Sequence, residues 1–280
     1  MTRKWTFCSL TLAVVAMFAV SGFPKDTVVE SKWASAPVRI DGLEQDWQGS
    51  TFLTDGGSKA QYALRNDGKN LYVIFLFKDP TSSSTIEFTG LKVFFNAEGK
   101  KSRDLGVHFI KKRVTADTLV AYMEKKGETL TDARKAEIRK ESMYTLSEAE
   151  VINPKKVAAP ADPAVQTDPP LFSAKSQNRV LVYELRIPLS RTNQPGGLGS
   201  DPGNTVKLGF EWGGLTKEIL KDMMAGQSAR AGMTRQGAGL QGSIADTRDD
   251  SGGIQDSGDY SRDPRTRMHS FWIDLKLAAQ

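Results

Sequence analysis

The amino-acid sequence predicts an all-β protein: an antiparallel β-sandwich of the jelly-roll or immunoglobulin-like kind, with a short inserted helix and two long loops. Runs rich in aromatic and β-branched residues recur along the chain, as they do in strands. Clusters of Asn, Asp and Gly separate some of these runs and form hairpin turns, because they tolerate positive φ. Two interruptions, 124–172 and 216–268, lack strand-like runs. We therefore interpret residues 23–280 as one domain with two insertions.

Residues 1–22 are typical of a secretory signal peptide. Two basic residues precede the apolar run 7–20, and the small residues Ser21 and Gly22 follow it. The run is shorter than the roughly 20 apolar residues of a membrane-spanning helix, although an uncleaved N-terminal anchor is the alternative. Cleavage would remove Cys8, the one cysteine of the chain. We therefore expect a periplasmic or secreted mature protein with no disulfide and no membrane span.

The strands can be assigned in order from turn chemistry and apolar patterning. Residues 62–65 lead through the polar cluster 66–70 into 71–77, which predicts a hairpin. The run 71–77 is apolar on both faces, as in a central strand that is covered on each side. Further strands of similar composition are predicted at 91–95, 105–110, 180–187, 206–212 and 271–277.

The two insertions differ in composition. A charged stretch, 131–141, follows Thr129, which with Asp132 fits a helix-capping signal, so we predict a short solvated helix and then a Pro-rich extended stretch. The second insertion opens with a helical turn at 217–224 and continues through 225–267, which is rich in Gly, Asp and Arg. That segment has too few apolar residues to offset its ordering entropy, which predicts a flexible loop. Its acids lack EF-hand spacing, which favours a solvated loop over a calcium site.

Composition excludes several classes of function. The chain has 38 basic and 33 acidic residues, and this small excess is spread along the sequence, so we expect no nucleic-acid partner. Two His and one Cys leave little basis for a zinc site or thiol catalysis. Paired carboxylates such as Glu184 and Glu211 lie in no recognisable acid/base motif. The sequence therefore predicts a protein that is not an enzyme and holds no cofactor.

Three short motifs occur in a characteristic order. The first is VRIDG followed by LEQDW (38–47), the second is RNDGKNLYV followed by KD (65–79), and the third is YELRIPL (183–189). Together they resemble the family 9 carbohydrate-binding modules and the wider DOMON-like β-sandwich group, over a span from residue 33 to residue 277. The resemblance implies a β-sandwich. It also implies a ligand, which is a sugar clamped between two aromatic rings in family 9 and haem in some DOMON-like relatives.

Parts of these motifs have a structural interpretation that needs no ligand. Asp41 and Gly42 form a turn after a short strand, and Trp47 is large enough to cap one end of the core. Asp79 and Pro80 end their strand, because Pro cannot continue the ladder. We therefore expect Trp47 and the Asp79-Pro80 pair to be architectural.

Strand alternation selects the candidate ligand-binding residues. In 271–277 the odd-numbered residues are all apolar and face the core, so Trp272 points away from it. The same alternation turns Glu211 away from the face that holds Trp212. If the three strands 183–187, 206–212 and 271–277 share one sheet, its outer face carries Trp272, Glu211, Glu184, Arg186, Asp274 and Lys276.

An aromatic platform flanked by charged groups suits a sugar, whose C–H face stacks on the ring while its hydroxyls form polar contacts. The predicted carbohydrate site therefore contains Trp272, Glu211 and Arg186, with Trp212 reaching its rim from the end of a strand. Each tryptophan also has an alternative position. Trp272 is covered by one of the long loops in the first alternative, and Trp212 is buried in the core in the second.

The sequence thus predicts an exported, non-catalytic carbohydrate- or glycan-binding module. One alternative is a structural or protein-interaction module of the cell envelope, with the flexible loop as its contact element. A further alternative is haem binding. Met268 and His269 are adjacent strand residues that point to opposite faces, so haem would need a partner such as His108 or another Met.

Overall fold

The computed structural model describes residues 28–154, 168–192, 196–216 and 264–280. The predicted signal peptide, most of the Pro-rich stretch and most of the second insertion lie outside these residues. Across the described ranges, no helix is both long enough and apolar enough to cross a membrane.

The described residues form twelve strands and three α-helices. In chain order these are β1 (Val28–Glu30), β2 (Lys32–Trp33), β3 (Leu53–Thr54), β4 (Gln61–Asn66), β5 (Asn70–Phe77), α1 (Pro80–Thr89), β6 (Leu91–Asn96), β7 (Gly106–Thr115), α2 (Ala116–Lys125), α3 (Asp132–Ile138), β8 (Met143–Ile152), β9 (Leu171–Gln177), β10 (Val180–Pro188), β11 (Thr205–Gly213) and β12 (Met268–Lys276).

These strands build the predicted all-β sandwich from two sheets. The front sheet has the order β1-β12-β11-β6-β7-β8, and the back sheet has the order β2-β4-β5-β10-β9, with β3 paired to β4. The predicted hairpin is the β4–β5 pair, and β6 pairs with β7 as expected. Most pairs are antiparallel, but β1 runs parallel to β12 and β2 runs parallel to β4. The sheets are therefore mixed, because the first two strands join the sandwich along its edges.

The core lies between the two sheets and is rich in aromatic rings. Phe75 and Phe77 of the back sheet contact Phe210 and Trp212 of the front sheet, with ring centroids 5.0 to 6.3 Å apart. Every residue of β5 is buried, which confirms that it is a central strand covered on both sides.

The outer face of the back sheet is covered by the segment 34–52. Val38 and Trp47 of this segment pack against Tyr72 and Ile74 of β5 in a second apolar cluster. The back sheet is therefore sandwiched between the core and a third layer, which explains why its outward-facing side chains are apolar.

Helix α1 and strand β8 were not predicted from the sequence. Helix α1 follows Asp79, whose side chain accepts the Ser82 N–H at 2.7 Å, so this residue caps a helix as well as ending a strand. Strand β8 lies within the first predicted insertion. This strand lacks an apolar run and was therefore missed. Its residues Glu148 and Glu150 both pair with Lys112 of β7.

The helix predicted in that insertion is present as α3. Its cap is Thr131, whose hydroxyl accepts the Arg134 N–H at 3.2 Å, and not Thr129. A second helix, α2, precedes it and was missed. Thr115 caps α2 by accepting the N–H of Thr118.

Strands β7 and β8 extend past the end of β6 to form an arm, which we define as residues 111–147. Strand β6 pairs with β7 at residues 106–109, whereas β8 follows β7 to Thr115. The two helices lie at the end of the arm and bury a small cluster of Ala116, Val120 and Ile138.

Ser31, between β1 and β2, marks the point where the chain passes from the front sheet to the back sheet. Asn66 of the back sheet is fully buried there. Its Oδ1 accepts the Ser31 hydroxyl at 2.5 Å and the Ala278 N–H at 2.8 Å, and its Nδ2 donates to the Ala278 carbonyl at 3.0 Å. One amide thus joins the first strands, the last strand and the β4–β5 turn.

Candidate functional site

The structure divides the predicted ligand-binding residues between the two sheets. Trp272, Glu211, Asp274 and Lys276 lie on β11 and β12 of the front sheet, whereas Arg186 and Glu184 lie on β10 of the back sheet. The expectation that the three strands share one sheet is wrong, because β10 pairs with β5 and β9. Arg186 and Glu184 therefore face away from Trp272, on the opposite side of the sandwich.

Trp272 lies on the outer face of the front sheet and is partly exposed. It is opposite Gly209 in the β11–β12 pair, and a Cβ added to Gly209 would be 2.7 Å from the indole ring. The indole therefore lies directly over the backbone of this glycine. Any other residue at position 209 would place its Cβ too close to the ring.

A second ring extends this surface across β11. Phe94 of β6 is opposite Gly209 on the other side, and its ring is nearly parallel to that of Trp272, at an interplanar angle of 21° and a centroid distance of 6.3 Å. We call Trp272, Phe94 and Gly209 the aromatic patch. Three neighbouring strands thus place two rings side by side, with Trp272 partly exposed over Gly209 and Phe94 buried.

Three charged side chains border the aromatic patch. Glu211 of β11 is only 7% exposed. Its Oε2 accepts the Nε–H of Arg103 at 2.9 Å, and its Oε1 accepts Lys92 Nζ at 3.4 Å. The Arg103 guanidinium carbon lies 6.0 Å from the centroid of the Phe94 ring. A charged cluster therefore lies beside the rings. In it the buried carboxylate of Glu211 binds both Arg103 and Lys92.

Asp274 and Lys276 lie on the same outer face as predicted, and both are paired. Asp274 contacts Lys207 Nζ at 2.5 Å, and Lys207 is 5% exposed. Lys276 pairs with Glu30 of β1 at 3.3 Å. These two pairs border the patch on the side away from Glu211.

Trp212 lies in the core, as the alternative interpretation held, and not at the rim of the outer face. Its side chain is 2% exposed and contacts Phe77 and His269, at centroid distances of 5.4 and 5.5 Å. The physical reason is strand alternation, because Trp212 shares a face with the buried residues Leu208 and Phe210.

Glu184 and Arg186 have structural partners on the back sheet. Glu184 is fully buried and accepts the N–H of Gly42 at 2.6 Å and the indole N–H of Trp47 at 2.6 Å. Burial raises the pKa of Glu184, although these donors act in the opposite direction. Arg186 is half-buried and contacts Asp168 at 3.6 Å.

The residues considered for haem do not come together. His108 lies on the outer face of β7, and its Nε2 is 2.7 Å from the Thr89 carbonyl. His269 points into the core, and burial lowers its pKa. Within the described ranges, no three His, Cys, Asp or Glu residues are grouped in a way that could hold a metal ion.

A depression of about 390 Å³ lies on the back-sheet side, lined by Lys32, Trp33, Pro37, Arg39, Asp46 and Arg65. Arg65 donates from Nη1 to the Asp46 carbonyl at 2.7 Å and from Nη2 to Ser50 Oγ at 2.7 Å. The Arg65 guanidinium therefore binds the 34–52 segment through these hydrogen bonds. Trp33 is partly buried in this wall and offers a second indole that is accessible from outside.

The sequence reasoning missed Phe94, Gly209, Lys92 and Arg103. Two of them carried a usable signal: alternation in 91–95 turns Phe94 away from the core, and a glycine inside an apolar strand indicates a close approach. Arg103 carried none, because it lies in the loop between β6 and β7 and only the fold brings it to Glu211.

Two solved structures resemble the chain at a low level. A carbohydrate binding module family 9 from Caldicellulosiruptor kristjanssonii in complex with glucose has a TM-score of 0.36 and 13% identity, over 69% of this chain and 81% of that chain. A carbohydrate binding module family 9 from the same organism in complex with cellotriose has a TM-score of 0.35 and 15% identity, over 70% and 80% of the two chains. No family model and no curated protein matches the chain. Likeness at this level carries no argument about a ligand, so the case for one depends on the residues around Trp272.

Proposed function

We propose that this protein is an exported, non-catalytic carbohydrate-binding module that holds a sugar ring against Trp272. The observation that carries the proposal is the partly exposed indole that lies flat over Gly209, beside the cations Arg103 and Lys92. A flat apolar ring next to fixed N–H donors matches the two kinds of surface that a pyranose presents, its C–H face and its hydroxyls.

The cluster beside the patch is suited to this role because its donors are already positioned. Glu211 holds Arg103 and Lys92, whose side chains are 56% and 40% exposed, so their remaining N–H groups face solvent. A donor that is fixed before binding loses less conformational entropy when a ligand arrives. The two carboxylates next to the patch, Glu211 and Asp274, are both held in ion pairs, which supports a binding role over a catalytic one.

The expected affinity is modest. Stacking on one indole contributes about 1 to 2 kcal/mol by analogy with aromatic pairs, and hydrogen bonds to charged groups contribute about as much each. A total of about 4 to 8 kcal/mol corresponds to dissociation constants between millimolar and micromolar. Export through the secretory signal predicted at residues 1–22 would bring the protein to extracellular glycans.

The test is a glycan screen followed by isothermal titration of wild type, Trp272→Ala and Trp33→Ala. Trp33 is the matched control, because it is also a partly buried indole but lies on the back-sheet side. We expect Trp272→Ala to abolish binding and Trp33→Ala to leave it unchanged. The reverse result would move the site to the depression at Trp33, and a wild type that binds no glycan would refute the proposed function.

A further inference from the structure

We infer that the ligand of this face carries a carboxylate, as a uronic acid does, and that the guanidinium of Arg103 binds this group. The inference rests on the proposed function and adds the chemical class of the sugar. The partners of Arg103 decide which of its N–H donors remain for a ligand.

Arg103 uses one side of its guanidinium to reach Glu211. The contact to Oε2 is made by Nε, at 2.9 Å. Within the part of the chain that the structure describes, the two terminal nitrogens, Nη1 and Nη2, have no hydrogen-bond partner. The guanidinium lies over the ring of Phe94, which is the ring next to Trp272. The terminal nitrogens therefore form an unoccupied fork at the border of the aromatic patch.

A guanidinium fork is selective for planar anions. Its two parallel N–H groups match the two oxygens of a carboxylate, and such bidentate pairs are stronger and more directional than bonds to neutral hydroxyls. A uronic acid carries its carboxylate as a substituent of the pyranose ring. Because Arg103 lies over Phe94, the ring next to Trp272, a uronic acid stacked on Trp272 or the next ring of a short oligosaccharide can bring its carboxylate to Arg103.

The charge balance of the cluster favours an anion as well. Glu211 is one carboxylate shared by two cations, Arg103 and Lys92. The next ion pair on this face, Lys207 with Asp274, contributes one charge of each sign. A ligand carboxylate would supply the second negative charge beside the two cations. Glu211 is then a positioning residue, which aims Arg103 without itself contacting the sugar.

The experiment compares matched pairs of probes. Oligosaccharides of galacturonic acid and of glucuronic acid are titrated beside their carboxyl-reduced, neutral counterparts, with wild type, Arg103→Gln and Arg113→Gln. Arg113 is exposed on β7 of the arm, so its substitution removes the same charge away from the patch. We expect wild type and Arg113→Gln to prefer one acidic probe by about tenfold or more, which is the effect of a single good charged hydrogen bond.

Arg103→Gln should bind the acidic and the reduced probes equally, and unchanged melting temperatures should show that all three proteins are folded. The inference is overturned if Arg103→Gln keeps the preference, or if wild type binds glycans through Trp272 with no preference for acidic ones. In the second case the proposed function stands. If wild type binds no glycan of any kind, the proposed function itself fails.

Discussion

The carboxylate of Glu184 accepts the indole N–H of Trp47 at 2.6 Å, although the two residues are 137 positions apart in the chain. The other oxygen of Glu184 accepts the N–H groups of Asp41 and Gly42, at 2.9 and 2.6 Å. Three donors from one turn and one indole thus meet a single buried carboxylate. This contact fastens the 34–52 segment to the back sheet, so the first sequence motif is architectural.

Glu184→Gln should lower the free energy of unfolding by about 2 to 3 kcal/mol, because an amide has one acceptor oxygen where the carboxylate has two, and a buried N–H then loses its partner. Urea denaturation measures the change. Glu128→Gln is a suitable control, since Glu128 is exposed in the loop between α2 and α3 and undergoes the same chemical change. A variant that unfolds at the wild-type urea midpoint would show that the carboxylate does not hold the segment.

The free energy of unfolding should depend on pH differently in wild type and in Glu184→Gln. Burial raises the pKa of Glu184 above its ordinary value of 4.5, so the folded state retains a proton that the unfolded state has lost. Stability therefore falls as pH rises from 4.5 through the folded-state pKa, and the advantage of wild type over Glu184→Gln shrinks across that window. An advantage that grew with pH would show that the three N–H donors outweigh the desolvation.

The two tryptophans of β11 and β12 should respond differently to truncation. Trp212→Ala removes a ring that is 2% exposed, and we expect a loss of about 3 to 5 kcal/mol. Trp272→Ala removes a partly exposed ring that stacks on Phe94, and we expect a loss of about 1 kcal/mol. Thermal melting of both variants checks this order. Equal melting temperatures would mean that Trp272 is packed beneath another segment and does not form a binding surface.

Gly209→Ala should impair glycan binding without affecting the core. The added methyl group would lie 2.7 Å from the indole of Trp272, so the ring must leave its position. Because the methyl group points to the outer face, the residues between the sheets are untouched and the melting temperature should change little. Titration with the glycan found for wild type measures the loss, and unchanged affinity would show that the flat position of the ring is not required.

The sequence predicts the direction of side chains within one strand, but it does not predict which strands pair with one another. Alternation in 271–277 correctly turned Trp272 outward and Phe271 inward, because the direction of a strand side chain depends only on its own strand. Alternation contains no information about which strands become neighbours, so Arg186 was grouped with residues of the other sheet. Arg103 was missed for the same reason, since the partner that positions it is 108 residues further along the chain.

The arm has a consequence for how the chain can vary. Its cluster of Ala116, Val120 and Ile138 is separate from the core between the sheets, so we expect the arm beyond the Lys111–Ala174 hydrogen bond to open while the sandwich stays folded. Ile110 and Glu148 are paired across the base of the arm, at a spacing that a two-residue turn can close. We therefore expect that the length and helices of the arm can be altered or exchanged without changing the surface that holds Trp272.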